Sequence, residues 1–211
     1  MTLLLAAARR LAEGDRYARS PQFTRYDPGY MLGREVHSST LGIIGLGRIG
    51  QQVAKRARAF DMRIVYHNRR RNDMGETTFG ATYVTFDELL AQSDFVILCC
   101  PLTDETRGLI DANAFAKMKP TAILINISRG PVVVTAALTQ ALQSRLIYAA
   151  GLDVTDPEPL PRNHPLLKLD NVTIAPHLGS ATEQTRRQMA EISIENLLRG
   201  LRGQGLLHRV G

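Results

Sequence analysis

Short, continuously apolar runs alternate with helix-like segments along most of this chain, and that order limits its fold more than any other feature. The candidate strands are Leu41 to Ile44, Arg63 to Tyr66, Phe95 to Cys99, Ala122 to Ile127, Tyr148 to Leu152 and Val172 to Ile174. Several are too uniformly apolar for a half-exposed sheet and need cover on both faces. Between them, Ile49 to Phe60, Phe86 to Ala91, Ala112 to Lys119 and Thr135 to Gln143 have helical composition. Parallel neighbours require a crossover and a helix fills it, so the order implies an α/β fold: a doubly wound parallel sheet with helices on both faces. Ligands of such sheets bind beyond the carboxyl ends of the strands.

The flanks are less regular. Leu3 to Leu11 reads as one helix, whereas Ala12 to Ser39 has no clean period and is rich in turn formers and charge. So long a connection is either functional or a packing arm. Thr85-Phe86-Asp87-Glu88 has capping-box spacing before one helix. Ser180-Ala181-Thr182-Glu183 has it before a long final helix that runs to about Arg199. The proline-rich stretch Thr155 to Pro165 is expected to follow the surface as a loop.

Composition removes several function classes. No stretch of the 211 residues approaches the roughly 20 apolar residues of a membrane span. The opening apolar run, Leu3 to Ala8, has no basic residue before it and is too short for a targeting segment. The two cysteines, Cys99 and Cys100, are adjacent, which strains any bridge between them and points to a reducing, cytoplasmic compartment. The net charge of +6 raises the question of nucleic acid, but there is no Trp, and the basic residues do not interleave with Phe or Tyr. A small anionic ligand accounts for the charge; nucleic acid, membrane and metal are not expected.

Gly45-Leu46-Gly47-Arg48-Ile49-Gly50 follows the first strand and opens the next helix. In that context Gly45 allows a tight turn, Gly47 lets backbone approach a pyrophosphate, and Gly50 lets helix and strand pack closely. The helix N-terminus attracts the anion. An NAD site wants Asp or Glu at the end of the next strand, about 20 residues on. Here that strand ends Tyr66-His67-Asn68-Arg69-Arg70-Arg71, with Asn68 in place of the acid. A carboxylate repels a 2′-phosphate, while Asn68 can hydrogen-bond it and Arg69 or Arg70 can pair with it. NADP(H) is therefore expected over NAD(H). The chain divides into residues 1–40 (connecting helix and arm), 41–180 (dinucleotide-binding domain) and 181–211 (C-terminal helix and tail).

Three later segments each run from apolar strand to polar residue to turn: Ile125 to Gly130, Ala150 to Pro159 and Ile174 to Thr182. A parallel sheet gathers such turns at one edge, so Arg129, Glu158 and His177 can converge there. The trio suits reduction of a 2-oxo acid. Arg129 binds the anion and polarises its ketone, His177 gives the proton, and Glu158 orients the imidazole and keeps it protonated. Singly, each has an ordinary explanation as a cap, a surface charge or a solvated loop residue. Their shared layout beside a glycine loop selects the functional one.

These segments resemble the D-isomer-specific 2-hydroxyacid dehydrogenase family and, within it, the glyoxylate/hydroxypyruvate reductases, from about Leu3 to Gly200. The most specific stretches are Gly42 to Gly50, Ile125 to Gly130, Gly151 to Pro161 and Pro176 to Thr182. The resemblance implies the same roles for Arg129, Glu158 and His177. It further implies that Arg48 and Ile49 bind the pyrophosphate, that Pro101 and Ile127 line the cofactor cleft, and that Asp153 and Gly179 hold the nicotinamide end. Family members also carry a substrate lobe ahead of the helix matching Leu3 to Leu11. This chain is expected to lack it, leaving turnover weaker than cofactor binding. Ala12 to Tyr30 matches the family's dimerisation arm, so a homodimer is expected.

Two departures stand out: Cys99 where many relatives have His, and Val134 where many have Asp or Asn. The first bears on the adenine pocket; the second lies away from the chemistry. Alternatives to a glyoxylate or hydroxypyruvate reductase are a 2-ketogluconate-type reductase and a corepressor-like module that binds NADP(H) without turnover.

Overall fold

A computed structural model describes residues 1–207; the last four positions of the expected tail, 208–211, lie outside the described residues. The strands are β1 (Thr40–Ile44), β2 (Arg63–His67), β3 (Thr82–Tyr83), β4 (Phe95–Leu98), β5 (Ile123–Asn126), β6 (Ala149–Leu152) and β7 (Val172–Ile174). They form one seven-stranded sheet in the order β3-β2-β1-β4-β5-β6-β7, and every pairing is parallel. This is the doubly wound α/β architecture that the apolar runs imply. The order reverses at β1, which pairs with β2 on one side and β4 on the other, and that reversal opens a crevice at the carboxyl ends of β1 and β4.

The helices are α1 (Thr2–Ala8), α2 (Leu11–Ala18), α3 (Arg48–Ala57), α4 (Asp73–Phe79), α5 (Phe86–Gln92), α6 (Ala112–Lys117), α7 (Thr135–Gln143) and α8 (Glu183–Leu201). Every residue of β4, β5 and β6 is buried. Side chains of successive strand residues point to opposite faces. Val96, Leu98 and Leu124 accordingly join Phe115, Leu138 and Leu142 in one core cluster. Phe95, Ile97, Ile123 and Ile125 join Leu4, Val53 and Tyr66 in the other.

Four expectations are corrected. Leu3 to Leu11 is not one helix: α1 ends at Ala8, Arg10 takes a left-handed conformation at φ 52°, and α2 begins at Leu11. The cause is distant in sequence, because the Arg34 N–H takes the Ala8 carbonyl at 2.8 Å, the group a continuing helix would have used. The Ser180 capping box does not form. Thr182 caps α8 instead, its hydroxyl accepting from Thr185 N at 3.2 Å, while Ser180 lies in the preceding turn. The irregular stretch from Ala12 includes most of α2, an eight-residue helix that buries no residue. Finally, α4 and the two-residue edge strand β3 were not expected at all. The Thr85 capping box is present as expected.

The chain forms two compact units, Met1–Pro176 and a second that starts at His177. Within the second, a turn closed by Ala181 N to Leu178 O at 2.9 Å precedes α8. Ile194, Leu197 and Leu201 are exposed on that helix. Among the described residues no helix is long and apolar enough to cross a membrane.

Candidate active site

The loop from β1 into α3 is built by its glycines. Gly45 sits at φ +98°, and a β-carbon there would lie 2.5 Å from the Cys100 nitrogen. A β-carbon on Gly50 would fall on the Gly45 carbonyl oxygen. Gly47 differs: nothing lies within 4 Å of the place its β-carbon would occupy. Two glycines therefore close the turn, and the third leaves bare backbone facing open space. Gly47 is also the N-cap of α3, with no side chain capping the helix, so the first N–H groups carry their partial positive charge outward. This is a cradle for a phosphate anion, and it fits the pyrophosphate of a dinucleotide.

The loop opens on a cleft of about 560 Å³ lined by Arg48, Ile49, Cys99, Pro101, Ile127 and Arg129, among others. The structure thus brings five expected site residues, Arg48, Ile49, Pro101, Ile127 and Arg129, to one cavity at the switch point of the sheet. Burial pushes the Cys99 thiol up to about 12, with the neighbouring Cys100 adding to the shift, so this thiol lines the cleft in its neutral form.

At the end of β2, Asn68 turns its side-chain oxygen to the Leu46 N–H at 2.7 Å. Arg69 and Arg70 are exposed on the following loop. Arg71 instead pairs with Glu76 at 2.6 Å and lies over the Tyr83 ring. Glu76 also accepts from the Tyr66 hydroxyl at 2.6 Å. The Arg71 and Tyr66 hydrogen bonds hold the Glu76 carboxyl down at about 2. Sequence reasoning missed Tyr66, Asn72 and Glu76 here; α4 is short and largely polar, and no apolar period announces it.

Arg129 follows β5 in a turn fixed by Asn126. The Asn126 oxygen accepts from Ser128 N at 3.0 Å and its amide donates to the Arg129 carbonyl at 3.0 Å. The guanidinium donates to the Ser128 carbonyl at 2.7 Å. A β-carbon on Gly130 would fall on the Thr155 carbonyl, so the Arg129 turn is pressed against the segment leading to Glu158. Thr135 fastens the same segment by donating to the Asp156 carbonyl at 2.8 Å. Glu158 is exposed three residues beyond Thr155, and Asp153 is buried with its N–H donating to the Asn126 carbonyl at 2.9 Å. His177 and Gly179 lie in the first turn of the second unit, where His177 is exposed at φ 55°.

An all-parallel sheet with this loop at its switch point is a Rossmann-type dinucleotide-binding domain. The family model of the D-isomer specific 2-hydroxyacid dehydrogenase NAD binding domain matches residues 1–179, and the chain belongs to that family. It is 49% identical over 203 residues to the glyoxylate reductase of Korarchaeum cryptofilum, covering 96% of this chain and 61% of that protein. It is also 49% identical to human glyoxylate reductase/hydroxypyruvate reductase, covering 97% of this chain and 62% of that one. Among solved structures, the TT0316 protein of Thermus thermophilus superposes with a TM-score of 0.93 at 47% identity, covering 100% of this chain and 66% of that chain. The chain therefore spans about three fifths of the length of its curated relatives.

Proposed function

We propose that this chain is the NADPH-binding, hydride-transferring portion of a reductase that converts small 2-oxo acids, glyoxylate and hydroxypyruvate, to the 2-hydroxy acids. The observation that carries the reading is the bare backbone at Gly47, set on an uncapped helix N-terminus whose first residues, Arg48 and Ile49, line the same cleft as Arg129. When bound, the cofactor supplies a hydride to the substrate carbonyl carbon. The remaining work falls to side chains. Arg129 offers forked N–H donors to the substrate carboxylate and ketone oxygen and steadies the negative charge that grows there. His177 delivers a proton to that oxygen, and Glu158 orients the imidazole.

Arg48 and Ile49 receive the pyrophosphate, Pro101 and Ile127 flank the dinucleotide, and Asp153 and Gly179 hold its nicotinamide end. Arg69 and Arg70 pair with the 2′-phosphate, and Asn68 keeps a repelling carboxylate out of that position. NAD(H) is the weaker cofactor. The protein works in the cytoplasm as a homodimer joined through the arm that exposes Phe23, Tyr26 and Tyr30.

Titration of the purified chain with NADPH and with NADH, followed by nicotinamide fluorescence, tests the reading; glyoxylate or hydroxypyruvate is then added. Tighter binding of NADPH and its oxidation on adding the acid are expected. For a polypeptide of these 211 residues alone, kcat/KM is expected to fall below roughly 10⁴ M⁻¹s⁻¹, because fewer contacts orient the substrate. Binding without oxidation favours a dinucleotide-dependent interaction module, and absence of binding removes both readings.

A further inference from the structure

The glycine loop is gripped from outside as well as packed from within. Resting on the dinucleotide reading above, we propose that Asn72 is a positioning residue for the pyrophosphate. Leu46, between Gly45 and Gly47, is fully buried, and asparagine side chains hold both its backbone N–H and its carbonyl. Its N–H donates to Asn68 Oδ1 at 2.7 Å, and its carbonyl accepts from Asn72 Nδ2 at 2.6 Å. The Asn72 amide has only one orientation that satisfies its surroundings, because Oδ1 accepts from Gly75 N at 2.9 Å as the N-cap of α4.

The peptide joining Leu46 to Gly47 is planar, and in a trans peptide C=O and N–H point in opposite directions. By gripping the Leu46 carbonyl, Asn72 therefore aims the Gly47 N–H away from α4. That N–H belongs to the one loop glycine with open space beside it. The grip is itself braced. Asn72 N–H donates to the Tyr66 hydroxyl at 2.8 Å, the hydroxyl donates to Glu76 at 2.6 Å, and Arg71 clamps Glu76. A side chain outside the glycine motif thus fixes the direction of a phosphate-binding donor within it.

Two variants separate this role from simple capping. Asn72→Ser keeps an N-cap oxygen but is too short to reach Leu46, whereas Asn72→Ala loses both functions. NADPH affinity is read by fluorescence, affinity for 2′-AMP by competition, and folding by melting temperature. The expected result is that NADPH binding weakens about tenfold in both variants, as for one lost and misaimed phosphate donor, while Asn72→Ala melts lower than Asn72→Ser. 2′-AMP lacks the 5′-phosphate and should bind both variants within about twofold of wild type. NADPH binding within about twofold of wild type in folded Asn72→Ser overturns the inference and leaves the cofactor reading standing. So does a loss that follows melting temperature or strikes 2′-AMP equally. Failure of the wild-type chain to bind NADPH removes the cofactor reading, and this inference with it.

Discussion

Replacing Gly47 by Ala separates the binding role of the loop from its structural role. A β-carbon at Gly47 meets nothing within 4 Å, and the residue sits at φ −85° and ψ −157°, extended backbone at the edge of the region open to alanine. Two small backbone effects oppose each other. Alanine stiffens the unfolded chain, stabilising the fold by about 0.4–1 kcal/mol, and it is a poorer N-cap than glycine by a similar amount. The sum lies within about 0.5 kcal/mol of zero, or roughly 1–2 °C in melting temperature for a domain of this size. The new methyl nevertheless stands where the phosphate must approach. Losing one charge-assisted N–H contact costs about 1.5–3 kcal/mol, so NADPH affinity should fall roughly 10- to 150-fold. Gly50→Ala is the contrast, because its methyl strikes the Gly45 carbonyl and lies 3.2 Å from the Gly45 carbonyl carbon. Overpacking against backbone costs about 1–3 kcal/mol, so this variant should melt roughly 2–12 °C lower without ligand. Calorimetry of the ligand-free proteins and fluorescence titration with NADPH give both numbers. A Gly47→Ala protein that binds NADPH like wild type, or that melts as low as Gly50→Ala, refutes the reasoning.

Glu76 predicts a pH dependence. Its carboxyl is held down from 4.5 to about 2 in the folded chain, so its stabilising contribution is complete above 4.5 and is lost as pH falls toward 2. The melting-temperature gap between wild type and Glu76→Gln should therefore narrow over that window; a gap as wide at pH 2 as at pH 5 contradicts it. Val134 occupies the N-cap of α7 without any side-chain cap bond. Val134→Asp should raise stability by about 1 kcal/mol, read as a melting temperature about 2–4 °C higher, and no rise would show that α7 is capped by other means. Arg69→Ala and Arg70→Ala test the 2′-phosphate. At least one should weaken NADPH about tenfold while NADH changes little, and equal effects on both cofactors would count against 2′-phosphate recognition.

The sheet was legible because its central strands are buried on both faces, so Val96 to Leu98 and Ile123 to Ile125 had to be apolar without interruption. What escaped was set by partners remote in sequence or by elements with little to bury. The break between α1 and α2 depends on Arg34 reaching the Ala8 carbonyl, which no local pattern near Arg10 encodes. Helix α4 buries only Gly75, with Phe79 partly packed against the core, and β3 is two residues at the sheet edge. The glycine loop was legible because Gly45 and Gly50 each meet a steric demand of the fold, and Gly47 between them leaves its backbone bare. The bracing of that loop by Asn68 and Asn72 was not, since an asparagine after a strand signals a turn equally well.

The first helix in the sequence waits for some of the last strands. Leu4, Ala7 and Ala8 of α1 are buried in the same cluster as Ile123, Ile125 and Ala149, which lie in β5 and β6. A ribosome delivers residues in order, at a pace far slower than local helix formation. During synthesis the apolar side of α1 therefore emerges long before its cover exists, exposed for seconds while the intervening strands are made. Until β5 and β6 are made, this apolar surface is open to a chaperone or to aggregation.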